Sequence, residues 1–180
     1  MSNRLLRPLL VSAAVVGAAF GYVHMLEDGG HALEPGTEAP AFRLPALAGG
    51  EVDLLSYRGR LVVVNFWATW CPPCVAELPS LERLHRALGN EGVQVVGIST
   101  DEDEAALRRF LADRGLTFPI LRDPGGRVAA AAYRTAGYPE TFVIGPGGLV
   151  EERYLGPAEW DTPEALAHFR RLRSPIPGEP

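Results

Sequence analysis

The sequence predicts an α/β fold in which helices flank a central mixed sheet, with a short hairpin ahead of it. Two runs of β-branched and aromatic residues, 61–67 and 93–98, are apolar almost throughout, which is typical of strands buried on both faces. Stretches with apolar residues at helical spacing follow both runs, and this alternation indicates parallel neighbours. Two further predicted strands, 141–144 and 149–154, flank a Gly-Pro-Gly-Gly turn, so we expect an antiparallel pair at the end of the sheet.

The first residues have the pattern of a membrane anchor. Arg4 and Arg7 precede an uncharged run at 9–26, and a helix of that length spans about 27 Å, close to the hydrocarbon thickness of a bilayer. Because the basic flank comes first, we expect residues 1–8 to remain cytoplasmic and the chain after the anchor to be exported. A cleaved signal peptide, with small residues near Ala18, is the alternative. Both interpretations deliver the rest of the chain to the outer side of the membrane.

The remainder of the chain is expected to form one exported domain. Residues 27–35 are polar and include glycine and proline, so they are predicted to form a tether, followed by a domain at 36–173 and a frayed tail at 174–180. An apolar content of 47% suits a single globular core. The net charge of −5 argues against nucleic acid as a partner. We expect a monomer held at the inner membrane by its single N-terminal helix.

The elements of the domain follow from local patterns, taken in chain order. Weak alternation predicts the leading hairpin, and the first helix begins at the cysteines, carries apolar residues every three positions and stops before Gly89. Pro163 suits the first turn of the last helix. The remaining boundaries come from apolar runs and turn residues. The predicted strands are 42–44, 52–54, 61–67, 93–98, 118–121, 141–144 and 149–154, and the predicted helices are 71–88, 101–112, 127–133 and 162–172.

The two cysteines carry the chemistry that the sequence predicts. Cys71 and Cys74 are the chain's only cysteines, and a ring this small adds little as a structural cross-link. They lie where a buried strand passes into a helix, so Cys71 is near the N-cap, where free amides and the helix dipole favour a thiolate. A thiolate is the attacking species in disulfide exchange. We therefore expect Cys71 to attack from an exposed position and a shielded Cys74 to resolve the mixed disulfide.

The two residues between the cysteines refine this prediction. An N-cap sulfur normally accepts hydrogen bonds from the amides of the second and third helical residues. If Cys71 is the N-cap, the second of these is Pro73, which has no N–H. Only the amide of Cys74 can then stabilise the thiolate well. A weakly stabilised thiolate indicates a couple on the reducing side of its class.

Other uses of the cysteine pair fit the sequence poorly. A structural zinc site needs four ligands, whereas this chain has two cysteines and four scattered histidines. Covalent haem attachment needs CxxCH, and position 75 is valine. A thiol peroxidase would need a threonine three residues before its cysteine, and position 68 is alanine. We expect no metal and no cofactor other than the Cys71–Cys74 pair itself.

The segment from 61 to 74, LVVVNFWATWCPPC, resembles the thioredoxin superfamily, and specifically its exported TlpA/ResA/CcmG (DsbE) branch. The resemblance covers roughly 36–173 and includes PGTEAPAFRLP near its start, Asn65, Pro79 and the motif GYPETFVIGPGG. It implies a thioredoxin-like fold with an N-terminal hairpin and an extra central helix and strand. The long separation between Cys74 and Pro139 agrees with that insert.

The resemblance also implies roles for residues around the cysteines. Pro139 matches the cis-proline that faces the CxxC motif across a substrate groove. Glu77 matches an acidic residue of a CxxCxxE pattern and is expected to accept the proton that Cys74 must lose, since Asn65 stands where plain thioredoxins carry an acid. Glu140 is expected to make the groove acidic. The remaining expectations concern aromatic residues: Trp70 and Tyr138 flank the groove, while Trp67 belongs to the core.

By resemblance, the expected function is that of a membrane-anchored thiol–disulfide reductase outside the cytoplasm. Its expected substrate is oxidised apocytochrome c, or a chaperone of it, whose CxxCH thiols must be reduced before haem attaches. A transmembrane donor of the DsbD/CcdA kind is expected to supply electrons, because the exported compartment is oxidising. One alternative is a TlpA-like reductase of copper-delivery proteins or other exported thiol proteins. A different class is a binding module without redox turnover.

Overall fold

A computed structural model describes residues 33–173. The predicted cytoplasmic end, the membrane anchor, most of the tether and the tail at 174–180 lie outside the described residues. Within them, no helix has the length and apolar content needed to cross a bilayer. The strands are β1 (Arg43–Pro45), β2 (Glu51–Asp53), β3 (Leu61–Trp67), β4 (Val93–Ser99), β5 (Ile120–Arg122), β6 (Glu140–Ile144) and β7 (Val150–Leu155). The α-helices are α1 (Pro72–Leu88), α2 (Glu104–Leu111) and α3 (Pro163–Leu172).

Five strands form the mixed sheet that the sequence predicts, in the order β5-β4-β3-β6-β7. Strand β3 is central, parallel to β4 and antiparallel to β6. All seven of its residues are buried, because packed layers cover both faces of the sheet. The hairpin β1–β2 forms a separate antiparallel pair, as expected.

The alternation of β3 side chains divides the core into two layers. Leu61, Val63 and Trp67 face one layer together with the apolar side of α1 and Phe169 of α3. The even-numbered residues between them face the other layer, where Tyr133 and Phe142 pack. Trp67 is fully buried, so its predicted place in the core is confirmed. Asn65 is the one polar residue of β3, and it lies on the α1 face of the sheet by this alternation.

Most predicted elements match the structure to within one residue at each end, and three differ by more than that or in type. Helix α2 begins at Glu104 with Asp103 as its N-cap, not at 101, because the carboxylate of Asp101 binds Ser99 and Thr69 instead. The short strand β5 starts two residues later than predicted. The segment Arg127–Ala132 is a π-helix, where the sequence pattern predicted an ordinary short helix.

Candidate active site

The carboxyl end of β3 delivers the cysteine pair to the start of α1. Cys71 is the N-cap of this helix and has extended backbone angles, and its Sγ accepts a hydrogen bond from the amide of Cys74 at 3.3 Å. The two sulfurs are bonded at 2.06 Å, with 5.3 Å between the Cα atoms. The predicted N-cap position of Cys71, and the Cys74 amide as its donor, are confirmed. Pro72 and Pro73 are exposed and carry no N–H.

The accessibility of the two cysteines follows the prediction for Cys74 and departs from it for Cys71. Cys74 is fully buried, as expected of a shielded second cysteine. The prediction that Cys71 lies exposed is wrong for this disulfide form, in which only 5% of the residue is accessible. Its sulfur is bonded to that of Cys74, and the residue packs in the same apolar cluster as Trp67 and Ala68. Access to the pair is therefore narrow and bordered by exposed residues such as Trp70.

Asp101 fixes the loop that leads to Cys71, a role that the sequence did not reveal. Its carboxylate accepts hydrogen bonds from the amide of Thr69 at 3.0 Å and from the Thr69 hydroxyl at 2.6 Å. The hydroxyl of Ser99 donates to the same carboxylate at 2.7 Å. Asp101 is itself buried. The loop after β3 is thus tied to the end of the neighbouring strand β4, which limits its freedom beside the cysteines.

Glu77 is a buried carboxylate one turn after Cys74, and only 4% of it is accessible. Asn65 donates its Nδ2 hydrogen to Oε1 at 2.8 Å. The amide of Ala158 and the indole N–H of Trp160 both donate to Oε2, at 3.1 and 3.0 Å. None of these three donors carries a charge. Ala158 and Trp160 lie between β7 and α3, some eighty residues along the chain, so no local sequence pattern pointed to them.

Burial and hydrogen bonding act in opposite directions on Glu77. Loss of solvent raises the pKa of its carboxyl above the ordinary glutamate value, and this is the largest influence. The hydrogen bonds from Trp160, Ala158 and Asn65 lower the pKa and offset part of that rise. A carboxyl with a raised pKa binds a proton more readily than an ordinary glutamate, and this one lies one turn of helix from Cys74.

Three of the four residues predicted to form the substrate groove, Trp70, Tyr138 and Pro139, lie at the same edge of the sheet as the cysteines. The Tyr138–Pro139 peptide bond is cis, which confirms that prediction. The rings of Trp70 and Tyr138 meet edge to face at 5.9 Å, and Trp70 is 66% exposed. Because Glu140 pairs with Phe66, the start of β6 lies beside the end of β3. This register brings the cis-proline segment to the same edge of the sheet as the cysteine loop.

Glu140 does not line the groove as an acidic residue, so that prediction is wrong. Its side chain is fully buried and pairs with Arg153, with 2.6 Å between Oε1 and Nε. The amide of Ala136 donates to its other oxygen at 2.7 Å. Strand register explains this arrangement, because Arg153 stands opposite Phe142 on the face of the sheet to which Glu140 points. The charge is thereby neutralised inside the protein.

The cysteine pair is the reactive group of this site. Among residues 33–173, no three His, Cys, Asp or Glu side chains are arranged to hold a metal ion. Disulfide exchange needs no group beyond the two sulfurs and a proton acceptor.

Comparison with known proteins decides the family. The profile of the AhpC/TSA family matches residues 35–153, well over half of the chain. This chain belongs to the AhpC/TSA family. The thiol-disulfide oxidoreductase ResA of Oceanobacillus iheyensis is 35% identical to this AhpC/TSA protein over 152 residues, which cover 82% of this chain and 77% of the relative. ResA of Bacillus thuringiensis subsp. konkukian is 30% identical over 178 residues, covering 96% and 98% of the two chains.

A solved structure extends the comparison to the fold of this AhpC/TSA protein. A protein of Chlorobium tepidum assigned as thiol:disulfide interchange protein DsbE superposes with a TM-score of 0.71 and 31% identity, over 79% of this chain and 99% of that one. The fold is therefore thioredoxin-like, and the protein is a thiol–disulfide oxidoreductase of the ResA/DsbE kind with Cys71 and Cys74 as its cysteine pair.

Proposed function

We propose that this protein is an exported reductase of disulfides, and that its client is the CxxCH disulfide of apocytochrome c or of a chaperone of it. In this proposal the N-terminal segment holds the domain at the outer face of the cytoplasmic membrane. The similarity to proteins named ResA and DsbE supports the assignment. The uncharged run at 9–26 behind two arginines supports the location.

The direction of the chemistry follows from one observation, the hydrogen bonding of the Cys71 sulfur. It accepts from the amide of Cys74, and the two residues between the cysteines have no amide hydrogen to add. A thiolate with few donors is poorly stabilised, and a poorly stabilised thiolate favours the disulfide form of the pair. The couple therefore releases electrons readily and acts as a reductant.

The reaction proceeds in two exchanges. The thiolate of Cys71 attacks one sulfur of the client disulfide, forming a mixed disulfide and releasing the other client sulfur as a thiolate. Cys74 then loses its proton to the carboxylate of Glu77, and its thiolate attacks the sulfur of Cys71. The second client thiol leaves, and the Cys71–Cys74 disulfide remains. Two electrons have passed to the client, so the reductase must be reduced again before its next turnover.

The source of those electrons is part of the proposal. An exported compartment is oxidising, so the two electrons and two protons that restore the dithiol must come from another protein. We propose a transmembrane donor of the DsbD/CcdA kind, which carries electrons outward from the cytoplasm. The groove beside Trp70, Tyr138 and Pro139 then serves both the donor and the client in turn.

The decisive experiment is capture of the client in cells that produce the full-length chain with Cys74→Ser. Without the resolving thiol, the mixed disulfide on Cys71 should accumulate, and mass spectrometry should find a CxxCH-containing partner in it. Cys71→Ser is the matched control and should capture nothing. If the captured proteins are copper-delivery proteins and not cytochromes, the proposed client is wrong. If no partner is captured, the proposed role of the groove in substrate binding is overturned.

The redox potential of the purified domain tests the direction separately. Proteins of this fold range from about −120 mV for a strong oxidant to about −270 mV for a reductant. We expect a value in the lower half of that range, measured by equilibration with glutathione or dithiothreitol. A value near the upper end would reassign the protein as an oxidase.

A further inference from the structure

We propose that Trp160 is a positioning residue for the redox reaction: its indole N–H, together with the amide of Ala158, holds Oε2 of Glu77 so that the carboxylate stays ready for the proton of Cys74. The inference rests on the proposed role of Glu77 and adds the group that controls it. Trp160 stands between β7 and α3, far along the chain from the CPPC motif. Its polar contact with the site is the hydrogen bond from Nε1 to Oε2 of Glu77, at 3.0 Å.

The geometry around Glu77 distinguishes this contact from ordinary core packing. The amide of Ala158 and the indole N–H of Trp160 both donate a hydrogen bond to Oε2 of Glu77. The side chain of Asn65 donates one to Oε1. The carboxylate is 4% exposed, so little water is available to replace a lost donor. Donors that face a carboxylate favour its charged form. The three N–H groups therefore keep a buried glutamate able to ionise although no cation is among its hydrogen-bond partners.

The surroundings of Trp160 show a side chain held firmly in place. The residue is 2% exposed. Its ring contacts Tyr154 of β7 edge to face at 5.1 Å and lies 6.2 Å from the ring of Phe169 in α3. Two residues later, the hydroxyl of Thr162 caps α3 by accepting from the amide of Ala165. Rings from a strand and a helix thus fix the direction of the indole N–H, which is what a positioning residue requires.

An open groove gives Glu77 an outlet for the proton. Its volume is about 320 Å³, and Ala76, Glu77, Pro157, Ala158 and Glu159 line it. A proton that Glu77 accepts from Cys74 can pass from this groove to water.

The charged and titratable groups near Glu77 are few. Glu159, from the segment between β7 and α3, lines the groove, and Cys74 lies one turn away on the same helix. The strands contribute Asn65 and Thr141, which are neutral and hydrogen-bonded to each other. Arg83 of α1 is engaged by Asp161 on the surface. The pH behaviour of the resolving step therefore depends mainly on Glu77, with Glu159 as a nearby like charge.

The test uses the reduced full-length chain with Trp160→Phe and follows its reaction with Ellman's disulfide by stopped flow. The first chromophore released reports attack by Cys71, and the second reports resolution by Cys74. Loss of the indole donor leaves the Glu77 carboxylate less stable. We expect the acid limb of the second phase to move to higher pH, with a rate about tenfold lower at a pH on that limb. The first phase should be unchanged.

Three further variants make the result interpretable. Tyr154→Phe keeps the ring beside Trp160 and removes only a hydroxyl that binds Glu152, so its profile should match wild type. Ala158→Pro removes the second donor to Oε2 and should reproduce the shift, which keeps the proposal testable if Trp160→Phe fails to fold. In a Glu77→Gln background, Trp160→Phe should add nothing to the second phase.

Two results would overturn the inference. One is a second phase in Trp160→Phe, or in Ala158→Pro if only that variant folds, with the pH profile of wild type. The other is an equal slowing by Trp160→Phe whether or not Glu77 is present. Failure of the proposed role of Glu77 is distinct, because Glu77→Gln alone would then show a second phase with the rate and pH profile of wild type.

Discussion

Two buried glutamates lie on opposite sides of the central sheet, Glu77 on helix α1 and Glu140 on strand β6, and they are held in contrasting ways. Glu77 meets Asn65 of β3, whereas Glu140 occupies the neighbouring position opposite Phe66. Both are almost inaccessible to solvent. Glu140 is paired with a guanidinium, while the hydrogen-bond partners of Glu77 are neutral N–H donors. The difference lies in the charge of the partner.

We propose that this difference separates a structural acid from a reactive one. The guanidinium of Arg153 compensates the charge of Glu140 inside the protein. Neutral donors stabilise the charged form of Glu77 only in part, and burial raises the pKa of its carboxyl. For the proposed proton transfer, the hydrogen-bond partners of each acid are therefore a better guide than its distance in sequence from the cis-proline.

The largest effect is expected from breaking the Glu140 pair with Arg153→Ala. The variant leaves an uncompensated charge in a fully buried position, and we expect the free energy of unfolding to fall by about 3–5 kcal/mol. Urea denaturation of the oxidised protein measures it. Arg43→Ala, which removes the exposed arginine partner of Asp53, is the control and should cost far less, because solvent screens an exposed ion pair. Equal losses in the two variants would remove the contrast between buried and exposed pairs.

The second-largest effect is expected in the rate at which Cys74 resolves the mixed disulfide, measured in the variant Glu77→Gln. Gln keeps the size of the side chain but cannot accept the Cys74 proton, so resolution should slow about 100-fold near neutral pH. The pH dependence of that step should then shift toward the higher pKa of an unassisted thiol. Glu140→Gln should leave resolution unchanged in whatever protein remains folded. A normal second phase in Glu77→Gln would exclude Glu77 from the mechanism.

The smallest effect is a pH dependence of stability. Since the folded pKa of Glu77 is raised, the folded protein holds this proton more tightly than the unfolded chain. This tighter binding stabilises the folded protein fully at pH values below the pKa of a glutamate in the unfolded chain, about 4.3. The stabilisation is lost as the pH rises through the pKa of Glu77 in the folded protein. The difference in unfolding free energy between wild type and Glu77→Gln should therefore decrease as pH rises across that window. Urea denaturation at several pH values measures it, and a constant difference would contradict the raised pKa.

The sequence predicted those parts of the fold that depend on short-range patterns. Strand β3 has the predicted bounds because seven consecutive residues are buried by layers on both faces. Helix α1 starts at the cysteines as expected, since an N-cap sulfur and two prolines are strong signals for a helix start. The start of α2 was misplaced because Asp101, a plausible helix opener, instead binds Thr69, 32 residues away.

The sequence predicted those site residues that are neighbours along helix α1. It did not predict contacts between residues that are far apart in the sequence. Cys71, Cys74 and Glu77 lie within two turns, so their proximity follows from helical spacing. Trp160 and Ala158 meet Glu77 only after the chain has passed through β6 and β7. The single available signal was a tryptophan in the otherwise polar segment GPAEWD. The pairing of Glu140 with Arg153 likewise required the register of β6 on β7.

Pro79 lies inside α1 and has no N–H to give to the carbonyl of Val75, four residues back. The hydrogen-bond ladder of the helix is therefore interrupted just past the turns that carry the cysteines and Glu77. Beyond this gap, Leu81, Leu84 and Leu88 pack in the core. A bend of the helix at Pro79 would therefore leave the spacing of Cys71, Cys74 and Glu77 unchanged, because all three precede the missing hydrogen bond.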